Sequence, residues 1–112
     1  MDLVDLHRAA LDAATALLRQ VTDAQLRLPT PCTAWDVRAL IQHMVAGNWM
    51  AVALLAGIEP DRATDHLAGN TAVDAYRASA DAATTAFAEP GALARSVQIG
   101  RASCRERVCL AV

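Results

Sequence analysis

A chain of 112 residues holds one domain at most. Hydrophobic residues are 54% of it and aromatics 4%, the apolar mass being mostly alanine and leucine, which favours helices over sheet. The formal net charge is −2 with acids and arginines interspersed, so neither a nucleic-acid patch nor a polybasic membrane segment is expected.

The amino terminus, MDLVDLHRAA, has acids where a signal peptide wants bases and no apolar signal core, so a cytoplasmic protein is expected. The longest weakly polar run, Met44 to Ile58, is too short to span a bilayer. A first helix is predicted from about Asp2 to Val21. Leu3, Leu6, Ala10, Ala13 and Leu17 recur at steps of three and four and read as its inward stripe. His7 falls on the flank of that stripe, as a rim histidine. Thr22-Asp23-Ala24-Gln25 resembles a small capping box, opening a short turn of helix that Pro29 and Pro31 then break.

The segment from Pro29 to Gly47, PTPCTAWDVRALIQHMVAG, is the most informative stretch. A second helix is predicted from about Asp36 to Ala56, with Asp36 preferred over Thr33 as N-cap and Gly57 just past its end. Val37, Leu40, Ile41, Met44 and Val45 recur at helical spacing, and His43 is placed at the edge of this inward face. From spacing alone such a histidine is a core residue bonded to a neighbour, since buried polar groups are usually satisfied. One histidine is not a metal site; zinc normally takes three protein ligands even in catalytic sites.

Gly57 to Asn70, GIEPDRATDHLAGN, reads as the one long loop, with His66 a mobile surface residue. A third helix is predicted from about Thr71 to Ala88, opened by Thr71-x-x-Asp74 and ended by Pro90-Gly91, with Val73, Tyr76, Ala80, Ala83 and Phe87 as its stripe. Ala92 to Val97 is expected to be a short extended segment. Cysteines at 32, 104 and 109 form no metal-binding spacing, and their odd count argues against a disulfide framework.

The run TPCTAWDVRALIQHMVAGN resembles the N-terminal signature of the mycothiol-dependent maleylpyruvate isomerase family and its DinB-like relatives. Thr30, Pro31, Cys32, Trp35, Val37, Leu40, His43 and the Gly47-Asn48 pair carry the resemblance, which covers roughly residues 1–98. It implies an all-α fold, a DinB-like up-down helical bundle with three of its four helices present. It further implies a divalent metal, zinc by family habit, with His43 as one ligand. Mycothiol is the implied thiol cosubstrate of an isomerase or thiol transferase acting on a small molecule. Cys32 reads as a small buried turn residue rather than a nucleophile, and Trp35 as core rather than a substrate platform.

The tail works against activity. Ile99 to Val108, IGRASCRERV, resembles the translation of a sequencing-library adapter, so residues 99–112 are expected to be non-native. The later ligands of the family, an acid or histidine four residues before a histidine, have no counterpart in the chain. An alternative reading therefore stands beside the first: a non-catalytic helical interaction or dimerisation module with no bound metal. Both readings allow a homodimer and neither calls for nucleic acid or a membrane.

Overall fold

The computed structural model describes residues 1–97, and the expected non-native tail at 99–112 lies outside them. The described residues are all-helical: α1 at Leu3–Leu18, α2 at Val37–Leu55 and α3 at Ala72–Ala88, with 3-10 turns at Ala24–Arg27 and Ala92–Ala94. An isolated bridge pairs Pro29 with Asp36, and no strand is present among the described residues.

Each helix starts where a side-chain oxygen meets an orphan backbone N–H. Asp2 accepts from Asp5 N–H, Asp36 from Ala39 N–H at 2.8 Å, and Thr71 from Asp74 N–H at 3.2 Å. Each such cap stabilises its helix by about 1 kcal/mol. The Thr22–Gln25 box forms reciprocally, with Thr22 N–H donating to Gln25 Oε1 and Gln25 N–H to Thr22 Oγ1. Gly57, with φ 73°, takes the left-handed conformation just past the Ala56 C-cap of α2.

The first helix ends three residues before the expected Val21. Gln20 and Val21 bond back to Leu17 and Leu18, tightening the backbone into 3-10 geometry before the Thr22 box begins. The segment after Gly91 is a 3-10 turn where an extended one was expected. Its Ala92 is 3% exposed, so the tight turn tucks a small residue inward.

The third helix is the common partner: α1 and α2 each pack chiefly against it. It runs antiparallel to α1, because Phe87 near its end meets His7 near the start of α1. It runs parallel to α2. Residues 64–66 lie back beside Gln42, and Arg95 after α3 donates to Leu55 O at the end of α2. The long loop is thus a crossover that returns along α2. The core joins Leu11 and Leu18 of α1, Ile41 and Val45 of α2, Leu67 of the loop, and Ala75, Tyr76 and Ala80 of α3.

The first helix packs through a different stripe from the one predicted. Leu11 and Leu18 are 8% and 7% exposed, whereas Leu3, Leu6 and Leu17 are 63%, 52% and 64% exposed. Its apolar residues cover two adjoining stripes, and α3 covers only one.

Candidate functional site

The turn that leads into α2 is tied at several points. Val37 N–H donates to Leu28 O at 2.9 Å, and Trp35 N–H to Cys32 O at 3.0 Å. The Thr30 hydroxyl donates to Trp35 O at 2.8 Å and accepts from Cys32 N–H at 3.1 Å. Cys32 is 7% exposed and its side chain is engaged, which suits a structural role in the turn. Trp35 is partly buried and lays its indole against His43, the ring centroids 4.8 Å apart and the planes at 38°.

His43 itself is partly buried and engaged. Its position corrects the expected placement at the edge of the inward face. At roughly 100° per residue it lies about 160–200° around the helix from Val45 and Ile41, the residues that meet α3. The side of α2 facing α3 carries Ile41, Val45 and Asn48, whose amide donates to Ser79 Oγ at 3.0 Å. His43 is therefore on the far side of α2, in company with the turn that precedes the helix.

The other two histidines are elsewhere. His66 was expected to be mobile at the surface, but it is partly buried. Its backbone N–H donates to Gln42 Oε1 at 2.8 Å, and its ring stacks on Trp49 with centroids 6.5 Å apart. The loop is held there because Gln42 also donates to Thr64 O, and Arg38 meets both oxygens of Asp65. Trp49 and His43 lie about 120° apart around α2, so the two imidazoles occupy different sectors. His7 packs edge-on against Phe87 at 4.9 Å, with its Nδ1 buried and lacking a hydrogen-bond partner. It lines an apolar groove of about 400 Å³ with Leu3, Val4, Leu6, Phe87 and Leu93.

Among the described residues no three His, Cys, Asp or Glu side chains gather to hold a metal ion. The donors among the described residues thus do not make up a coordination sphere. The sequence reading missed the groove between α1 and α3, about 430 Å³ and lined by Arg8, Asp12, Arg19, Arg77 and Asp81. Its mixed charges leave no signal that separates it from a solvated face. No helix of the described residues is long and apolar enough to cross a membrane.

Comparison with known proteins bears on the same segment. The chain is 38% identical over 100 residues to Uncharacterized protein MT0763 of Mycobacterium tuberculosis (strain CDC 1551 / Oshkosh). It shows the same identity to Uncharacterized protein Rv0738 of Mycobacterium tuberculosis (strain ATCC 25618 / H37Rv). Each alignment takes in 88% of this chain and 52% of the relative, so the chain spans about half the length of the curated relatives it matches. No solved structure matches. The family defined by the mycothiol maleylpyruvate isomerase N-terminal domain matches residues 7–109, an interval that includes the capped turn, α2 and His43 and extends into the tail. The chain belongs to the mycothiol maleylpyruvate isomerase N-terminal domain family.

Proposed function

We propose that the chain is part of a divalent-metal-binding helical bundle in which His43 supplies one ligand. One observation carries this reading: in a member of this family, the motif histidine stands on the side of α2 away from α3, held against Trp35 rather than used in the α2–α3 core. An imidazole that only served packing would be expected on the seam. A neutral imidazole is a good donor to zinc, and three protein ligands are the usual minimum, so the other ligands come from outside residues 1–97. A zinc ion held there would supply the Lewis acidity that lowers the pKa of a bound thiol. With mycothiol as that thiol, the activity is isomerisation or thiol transfer on a small electrophile, carried out in the cytoplasm. His43 alone would hold zinc weakly, because a lone imidazole has no preformed geometry to set against water.

The bare stripe on α1 favours a second reading, a non-catalytic helical interaction module. Leu3, Leu6 and Leu17 are more than half exposed, as a surface awaiting a helix would be.

Metal content separates the two. Direct amplicon sequencing past codon 98 tests whether residues 99–112 are the natural ones, and the full-length product so defined is purified without added metal. About one zinc per chain, lost on His43→Ala with the helical signal intact, is expected. A folded, full-length protein without stoichiometric metal would select the interaction module.

A further inference from the structure

We propose that Trp35 is a positioning residue for His43, its indole fixing the orientation of the imidazole. The proposal rests on the reading of His43 as the functional group of α2. The backbone of Trp35 is held at both ends: its N–H is bonded to Cys32 O and its carbonyl receives the Thr30 hydroxyl. The next residues are pinned as well, by the Val37 N–H to Leu28 O bond that forms part of the Pro29–Asp36 bridge and by the Asp36 cap. The indole therefore leaves a backbone with little freedom, and its placement is set by the turn rather than by α2.

His43 has two side-chain torsions, and on a helix its first torsion is confined to two wells. A wall on one ring face selects between the remaining orientations. The ring centroids are 4.8 Å apart with the planes tilted by 38°, a contact between ring systems that restrains the imidazole. A functional group must be held to within about 0.5 Å and 10–20° by neighbours whose own positions are locked. The Thr30–Cys32–Trp35 knot supplies that lock one step removed from the imidazole. His7 is a contrast: it meets Phe87 by an edge contact, and its Nδ1 is buried against apolar neighbours.

The test has two readouts. In the 112-residue chain, NMR of the His43 ring protons should show an upfield displacement from the indole ring current and one rotamer. Trp35→Ala should remove the displacement and average the rotamers, Trp35→Phe should keep one rotamer, and Thr30→Val should loosen it with the indole still present. Unchanged His43 ring signals in a helical Trp35→Ala chain would overturn the proposal. In the full-length product, Trp35→Ala should weaken zinc binding by roughly tenfold or more, the usual cost of losing an outer partner of a ligand, and Trp35→Phe should retain most of it. His43→Ala is measured in parallel. Loss of zinc with His43→Ala but full affinity in a folded Trp35→Ala protein overturns the positioning role alone. Full zinc affinity in His43→Ala overturns the reading of His43 as ligand, and Trp35's role with it.

Discussion

Asn48 and Ser79 join α2 to α3 through a polar contact inside a largely apolar seam, with Nδ2 and Oγ 3.0 Å apart and Ser79 0% exposed. Ser79 in turn donates to Tyr76 O at 2.8 Å. Burial pushes the Tyr76 phenol above its ordinary pKa, while a hydrogen bond with Asn48 pulls it the other way. Removing one member leaves a polar partner in the seam with less to bond. Ser79→Ala is expected to destabilise the chain by about 1–3 kcal/mol. Asn48→Ala should cost a similar amount, and the double variant less than the sum, because both break the same contact. Urea denaturation of the four proteins checks this; additive costs would mean that the contact contributes nothing of its own.

The core around that contact is small, with Leu11, Leu18, Ile41, Val45 and Leu67 packed on Ala75, Tyr76 and Ala80, so each branched residue matters. Ile41 is 2% exposed and touches the α3 seam together with Val45 at 0%. Ile41→Ala is expected to cost about 2–5 kcal/mol by lost burial and cavity formation. Against a typical total of about 5–15 kcal/mol, that is a large share. Thermal unfolding followed by circular dichroism should show a fall in Tm of many degrees, far beyond that of Ile58→Ala, since Ile58 is 62% exposed.

The crossover loop is fastened by charge, and its fastening depends on pH. The hydrogen bond from Arg38 holds the Asp65 carboxyl below its ordinary value, against some opposition from desolvation. The Thr64 hydroxyl and the Ala63 N–H lower Asp61 in the same way. A carboxyl with a lowered folded pKa stabilises fully above its unfolded value, about 3.9 for aspartate, and loses that contribution as pH falls through the lower folded value. Amide protection at His66 and Leu67 should therefore be flat from neutral pH to about pH 5 and decline in acid below the ordinary aspartate range. Arg38 and Asp65 are 40% and 50% exposed, so the effect is local and salt weakens it. Arg38→Gln should shrink the Asp65 part of the acid response to what the Leu67 and Ala68 N–H groups sustain, and leave the Asp61 part. Hydrogen exchange at those two amides, with and without the substitution, measures both.

The limits of α2 were legible because they depend on local chemistry. Asp36 caps, Val37 begins the helix and Gly57 takes positive φ, all within a few residues of sequence. The Thr22–Gln25 and Thr71–Asp74 pairs were legible for the same reason. The candidate residue His43 was legible only as part of the motif it shares with the family. Its side of the helix was misplaced because α2 is apolar almost all round, so Leu40, Met44 and Met50 give periodicity no preferred direction. The His66 loop was missed because its anchors, Arg38 to Asp65 and Gln42 to Thr64, span more than twenty residues and leave no pattern in the chain.

The first helix poses the sharpest test of the packing, since its sequence offers two stripes of similar quality. Leu3, Leu6, Ala10, Ala13 and Leu17 step by three and four, and so do Val4, His7, Leu11, Ala14 and Leu18. The second set carries Leu11 and Leu18 into the core beside Tyr76 and Ala80, and Ala14 packs against it. Leu11→Ala and Leu18→Ala should each cost about 2–5 kcal/mol. Leu6→Gln and Leu17→Gln should stay within about 0.5 kcal/mol of the parent, because both sites are exposed and glutamine has nearly the helix propensity of leucine. Chemical denaturation of the four variants decides which stripe is inside. The reverse order of costs would place Leu6 and Leu17 in the core and refute the observed packing of α1 on α3.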